Sequence, residues 1–212
     1  SNSRAITILP MSYSYGLSVI NSFFYSGASI VLNDYSITQK EFWVLFNDYD
    51  VNHFYGVPYT YEIIDNFRLY KKFQGKRIQF TQAGGYLNKT VKEKIMNFCK
   101  GNNHELIVMY GQTEATARMS YVPGNRLHDH IESIGIPIPN GQFTILDESG
   151  DDITSTNKQG DLVYNGPNVM LGHSTNLSDL GTKEVTDETL HTGDIAYKTL
   201  DGFYYIVGRK KR

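Results

Sequence analysis

The sequence predicts an α/β fold: a mainly parallel sheet with flanking helices, followed by a small antiparallel β-barrel-like region. Three features predict it. Through the first half, short apolar runs alternate with helical patterns, the signature of βαβ units. From about Ser120 the helical periodicity stops and turn signals crowd together, from Pro123-Gly124 to Gly166-Pro167. The 212 residues, 40% of them hydrophobic, are enough for one large domain or two small ones with a real core.

Taken in order, Ala5 to Leu9 reads as a buried strand ended by Pro10, and Gly16 to Tyr25 as a largely buried helix. Ser29 to Leu32 is a second strand, and Thr38 to Asp48 a helix that Thr38 and Glu41 open as a capping box. His53 to Val57 is a third strand, stopped by Pro58 before the helical Tyr59 to Phe67. Arg77 to Thr81 is a fourth, and Asn88 caps a helix running to about Cys99. Glu105 to Met109 is the fifth. Beyond Ser120 the alternating runs Phe143 to Leu146, Asp161 to Tyr164 and Phe203 to Val207 are short antiparallel strands.

Lysine and arginine total 20 against 22 acidic residues, a formal charge of -2, which gives no footprint for nucleic acid. The basic run Arg209 to Arg212 is too short to make a binding face. The single cysteine, Cys99, rules out an internal disulfide and reads as a buried structural thiol. No apolar run reaches the length of a membrane span and no signal peptide is visible, so the expected compartment is a reducing cytoplasm. His128, His130 and His191 lack metal-ligand spacing, which argues against zinc.

Ligands of parallel α/β sheets sit at the carboxyl ends of strands. Two unusual stretches fall there: Gly84-Gly85-Tyr86 after the fourth strand and Tyr110-Gly111-Gln112-Thr113-Glu114 after the fifth. In the second, Tyr110 offers a face to a base and Gly111 lets the backbone approach a ligand. Thr113 can donate to a phosphate oxygen, and Glu114 is a hard oxygen ligand for Mg²⁺. A plain structural turn accounts for the same residues equally well. A further motif, His191-Thr192-Gly193-Asp194, precedes the hairpin turn Asp201-Gly202 and the run ending at Gly208-Arg209. It leaves Asp194 and Arg209 near opposite ends of the hairpin's flanks, a carboxylate and an arginine suited to a ribose.

These motifs, in this order, resemble the AMP-forming, adenylate-generating superfamily of acyl-CoA synthetases, luciferases and nonribosomal adenylation domains. The resemblance spreads over nearly the whole chain. Leu9 to Leu17 is similar to the family's Pro-x-x-His-x-x-Gly segment beside the acyl pocket, with Tyr13 where many members have histidine or another aromatic. Ala83 to Leu87 resembles the loop that lies against the adenine. Asp161 to Gly172 resembles the Gly-Glu-Leu…Gly…Gly-Tyr segment, departing at Asp161 for glutamate and at His173 for tyrosine. Gly208 to Lys211 resembles the hinge, with Lys211 as the hinge residue.

The resemblance implies an AMP-forming ligase that activates a small carboxylic acid with ATP and Mg²⁺, then passes it to coenzyme A or a carrier protein's pantetheine thiol. It implies catalytic roles for Thr113 and Glu114, with Glu114 holding the metal. It implies nucleotide contacts from Gly84, Gly85, Tyr86, Tyr110, Gly111, Thr113, Asp194 and Arg209, and an acyl pocket including Tyr13 and Gly84. The implied domains are an α/β nucleotide- and acyl-binding part over 1–117, an antiparallel part over 118–208, and the start of a hinge at 209–212. The family's Ser/Thr/Gly-rich phosphate loop and C-terminal lysine do not occur in the sequence. That implies a central fragment of the large N-terminal domain, inactive alone. A non-catalytic nucleotide-binding or interaction module stays open beside this reading. So does part of an amino-acid-activating domain, disfavoured because Gly84-Gly85-Tyr86 lacks the glutamate common there.

Overall fold

The structure is a computed structural model, and it describes residues 2–179 and 188–210. The chain divides into two compact units: Ser1–Met109 with Val122–Glu132, and Tyr110–Tyr121 with Ser133–Arg212.

The first unit is built on a parallel sheet. Strands β1 (Arg4–Ile6), β2 (Ser29–Val31), β3 (His53–Gly56), β4 (Gln79–Gln82) and β5 (Glu105–Tyr110) lie in the order β2-β1-β3-β4-β5. Every pairing among them is parallel, with Phe54 opposite Phe80 and Phe80 opposite Leu106. Helices α1 (Ser14–Tyr25), α2 (Lys40–Asp48), α3 (Pro58–Asn66) and α4 (Lys89–Gly101) supply the crossovers. Aromatic rings fill the core: Phe42, Phe46, Phe54, Tyr61 and Phe73 are all fully buried. Phe54 and Phe73 meet edge to face at 5.0 Å, and Phe73 meets Phe80 at 4.9 Å. The hydroxyls of Tyr15 and Tyr61, buried by their rings, both donate to the Thr81 carbonyl, at 3.1 and 2.8 Å. Cys99 is buried at the end of α4, and burial pushes its thiol up to about 12, so it is chemically quiet.

Among the boundaries that differ from the sequence reading, three have a plain local reason. β1 stops at Ile6 rather than Leu9. Thr7 and Asn33 bind each other there: the Asn33 N–H donates to Thr7 Oγ1 at 2.8 Å and its amide donates to the Thr7 carbonyl at 3.1 Å. Side-chain bonds of this kind compete with the ladder and end it. The capping box of Thr38 and Glu41 does not form. α2 begins one residue after Gln39, which makes no side-chain cap, while Gln39 Oε1 accepts from the Ser36 N–H at 2.6 Å. Pro58 does not precede α3 but starts it, as its fixed φ and missing N–H allow. By contrast Asn88 caps α4, accepting from the Thr90 N–H at 2.9 Å.

The second unit is antiparallel. β6 (Ser120–Val122) pairs with β7 (Ile136–Pro137). β8 (Gln142–Leu146), β9 (Gly160–Asn165), β10 (Thr189–Lys198) and β11 (Tyr204–Arg209) form a sheet in the order β11-β10-β9-β8. Its core gathers Ala115, Met119, Phe143, Ile145, Leu162, Tyr164, Ala196 and Tyr204. A parallel α/β sheet followed by an antiparallel β region is the fold class the sequence predicts. Among the described residues no helix is long and apolar enough to cross a membrane.

The two helix starts make a paired test. Asn88→Ala should cost about 1 kcal/mol of stability in urea unfolding, the usual worth of an N-cap. Thr38→Ala should stay within about 0.5 kcal/mol, as for an ordinary surface change. A Thr38→Ala loss as large as that of Asn88→Ala would contradict the observed start of α2.

Candidate functional site

The turn after β5 is tight and closed. The Met119 N–H returns to the Tyr110 carbonyl at 2.9 Å, and the Gln112 carbonyl accepts from both Ala115 and Ala117 N–H at 3.0 Å. To turn this sharply, Thr116 and Ala117 both take left-handed φ values, 54° and 70°. Residue 111 must be glycine, because a Cβ there would stand 2.2 Å from the Ala117 carbonyl oxygen.

The second element is a bulge in β10. Its register to β9 shifts between His191 and Ile195, and its register to β11 shifts between Ile195 and Ala196. Gly193 takes φ 76° inside the bulge. Thr192 pins it: its hydroxyl donates to the Leu162 carbonyl at 2.7 Å and accepts from the Asp194 N–H at 3.1 Å. Bulges of this kind re-aim a side chain out of the regular alternation.

The side chain re-aimed is Asp194, only 8% exposed. Tyr110 donates its hydroxyl to Asp194 Oδ2 at 2.5 Å, across 84 residues of sequence. Gln112 Nε2 donates to the Thr192 carbonyl at 2.9 Å and reaches the same Oδ2 at 3.3 Å. On the other side Arg209 Nε lies 3.7 Å from Oδ1. Asp194 and Arg209 are direct cross-strand partners, not residues at opposite ends of their hairpin. Burial, and then the bond to Asp194, push the Tyr110 hydroxyl well above the usual tyrosine range. The outcome is a carboxylate whose Oδ2 is spoken for and whose Oδ1, among the described residues, faces a mostly exposed arginine.

The other expected residues fall as follows. Thr113 and Glu114 lie on a short 3-10 turn, Thr113 exposed and Glu114 half-buried. The Glu114 backbone is held by the Met170 N–H at 2.7 Å. The Tyr110 ring packs on the second unit's core, 6.2 Å from Phe143. In the first unit, Gly84 has φ 80°, and a Cβ on it would stand 2.4 Å from the Tyr13 hydroxyl, so Tyr13 and Gly84 are neighbours. Gly85 is exposed, and its carbonyl accepts from Gln82 Nε2 at 2.9 Å. Tyr86 is exposed and donates to Glu132 Oε2 at 2.9 Å. Glu132 in turn lies 3.6 Å from Lys92, an α4 lysine whose side chain is almost wholly buried. Lys211 lies outside the described residues.

Sequence reasoning quoted Gln112 and Thr192 inside motifs and gave neither a task. Their positions two residues from Tyr110 and Asp194 were the available signal. Nothing in the pattern pointed to Lys92 and Glu132. No group of three or more His, Cys, Asp or Glu that could hold a metal occurs among the described residues.

The Tyr110–Asp194 contact sets a direction with pH. Above about pH 10 an unfolded tyrosine ionises, whereas in the fold a phenolate beside Asp194 is disfavoured. The raised value therefore contributes stability below about pH 10 that is lost as pH rises. Unfolding midpoints from pH 8 to 11 should fall, and those of Tyr110→Phe should fall less steeply. Parallel slopes for the two proteins would refute the contact's electrostatic role.

The chain is similar to known enzymes along its length. The luciferin 4-monooxygenase of Luciola mingrelica is 27% identical over 209 residues, 97% of this chain and 37% of that protein. The long-chain-fatty-acid–CoA ligase of Salmonella typhimurium is 31% identical over 160 residues, 74% of this chain and 27% of that one. Among solved structures, o-succinylbenzoate coenzyme A synthetase of Bacillus subtilis, in complex with ATP and magnesium ion, shares the fold. Its TM-score is 0.78 at 19% identity, over 98% of this chain and 42% of that one. The chain thus spans well under half the length of each. The family described as AMP-binding enzyme matches residues 1–173, and this chain belongs to it.

Proposed function

We propose that the parent of this chain is an AMP-forming ligase that activates a carboxylic acid with ATP and transfers the acyl group to a thiol, coenzyme A or a carrier's pantetheine arm. The observation that carries the reading is Asp194. A nearly buried carboxylate is costly, and here Tyr110 and Gln112 hold it with one oxygen still able to accept. That oxygen and the adjacent Arg209 suit the vicinal hydroxyls of a ribose. Relatives support the rest: the Bacillus subtilis synthetase has been solved with ATP and magnesium ion, with an acyl-adenylate intermediate and with AMP.

In this reading a substrate carboxylate oxygen attacks the α-phosphorus of ATP, the bond to the bridging oxygen breaks, and pyrophosphate leaves. A thiol then attacks the acyl carbon, the carbon–oxygen bond to AMP breaks, and the thiol proton is lost. Two anions must meet in the first step, so electrostatic stabilisation dominates. Thr113 presents a hydroxyl to a phosphate oxygen. Glu114, a half-exposed carboxylate at the same turn, has the hard oxygen that Mg²⁺ prefers. The metal would supply charge neutralisation on the phosphates. Gly84, Gly85 and the Tyr86 backbone are assigned to the adenine, and Tyr13 against Gly84 to the wall of the acyl pocket. Lys211 is assigned to the hinge of a further domain.

In the parent enzyme Asp194→Ala should weaken ATP binding by about 1.5–3 kcal/mol, the range for charge-assisted hydrogen bonds. Isothermal titration reads it directly, and an unchanged affinity would sink the ribose assignment. Because the sequence holds no phosphate loop, the 212 residues alone should give no acid-dependent ATP–pyrophosphate exchange. Clear exchange with any of a broad panel of acids would overturn that.

A further inference from the structure

Thr113 and Glu114 stand on a turn that its own backbone hydrogen bonds close, but against strain: it carries two successive left-handed non-glycine residues, Thr116 and Ala117, a conformation L-residues resist. A further hold comes from outside the turn, from Asn168, some fifty positions later.

Asn168 uses its polar groups fully. Its side-chain amide donates to the Ala115 carbonyl at 2.6 Å and to the Arg118 carbonyl at 3.0 Å, the two edges of the turn. Its own backbone carbonyl accepts from Thr116 Oγ1 at 2.8 Å. Its Oδ1 accepts from the hydroxyl of Tyr164, a fully buried residue of β9, at 2.8 Å. The two carbonyls settle which way the amide faces, since a flipped amide would set Oδ1 against both of them, and Tyr164 completes that orientation by donating to Oδ1. Two residues on, the Met170 N–H takes the Glu114 carbonyl at 2.7 Å. The space is made for this: at Gly166 a Cβ would stand 2.7 Å from the Tyr164 hydroxyl and 2.8 Å from Asn168 Oδ1. Four hydrogen bonds thus run from β9, through Tyr164 and Asn168, into the turn that bears Thr113 and Glu114, and Met170 adds a fifth.

We propose that Asn168, oriented by Tyr164, is the positioning residue that holds Thr113 and Glu114 where the metal-bound phosphates of ATP meet them. The proposal rests on the ligase reading above. Asn168 itself touches no reactant, and it acts through Glu114 and Thr113, chiefly on the part of binding that depends on Mg²⁺.

The experiment uses two substitutions and two readouts. Asn168→Leu keeps the volume and deletes every side-chain hydrogen bond, and Tyr164→Phe removes only the bond that orients the amide. Hydrogen exchange of the 212-residue chain reads the amides of Ala115, Ala117 and Met119. Titration of ATP into the parent enzyme, with and without Mg²⁺, reads the function. Asn168→Leu should speed exchange at those amides about tenfold or more, given the usual worth of each bond lost. It should abolish most of the Mg²⁺-dependent gain in ATP affinity while lowering affinity without Mg²⁺ only by the smaller share that Thr113 gives, which general destabilisation would not do. Tyr164→Phe should show both effects in smaller measure, and decides the matter if the leucine variant does not fold. Unchanged exchange overturns the proposal. Faster exchange with an intact Mg²⁺ dependence also overturns it, since the turn would then be held to no purpose. An unmutated parent whose ATP binding ignores Mg²⁺ overturns the role given to Glu114, and the positioning role with it. That failure is read before any substitution is made.

Discussion

A carboxylate that is almost out of water has to be answered by donors, or the fold must leave it protonated or exposed. Asp194 is answered by Tyr110 and Gln112, residues from the far side of the sequence. Much of the second unit is arranged around that requirement. The turn after β5 must be tight enough to present both side chains at once, which demands glycine at 111. The β10 strand must bulge to bring Asp194 round, which uses the left-handed Gly193 and the Thr192 hydroxyl as a pin. Gln112 closes the arrangement by donating to the Thr192 carbonyl as well, so turn and bulge hold each other. Removing one partner would strand a buried charge, a larger penalty than the net worth of any one of these bonds.

Asp194 and Glu114 differ in physical character, and in the proposed ligase that difference separates the tasks given to them. Asp194 is buried and already engaged, so it is rigid and suited to reading the fixed geometry of a sugar. Glu114 is half-buried on a turn, its backbone carbonyl bonded by the Met170 N–H. A hard cation exchanging waters needs an oxygen that is reachable and only partly desolvated, and of the two residues Glu114 comes nearer to that. Exchanging the two roles would ask a nearly buried carboxylate, with one oxygen already bonded, to take a metal.

The parallel sheet of the first unit was legible because buried parallel strands are short apolar runs between helices, and Phe54, Phe80 and Leu106 sit where that rule puts them. Asn88 was legible as a cap because an asparagine just before a helical run can take a first-turn N–H, and it takes that of Thr90. Thr38 looked equally suitable and failed because Ser36 and Gln39 organise the same stretch first, a contest that residue type alone does not rank. Proline was read as an end at Pro58, where its geometry serves equally as a beginning. Of the site, the residues standing in named motifs could be read off the chain. The bulge in β10 could not, because a bulge is a property of pairing register and needs the partner strand. Asn168 was hidden for a related reason: its partners are backbone carbonyls, and a backbone carbonyl leaves no mark in a sequence.

Arg209 and Lys210 are adjacent on a strand's end, and alternation turns their side chains to opposite sides. Arg209 goes to Asp194, while Lys210 pairs with Asp161, the position where the resembling family has glutamate. The Lys210 N–H also donates to the Gly193 carbonyl at 2.9 Å, fastening the strand's end to the bulge itself. The backbone is therefore held through residue 210 by one side-chain and one main-chain tie. In the proposed ligase that is where a pivot should lie just beyond: a domain swinging about Lys211 would act on a chain already anchored one residue earlier.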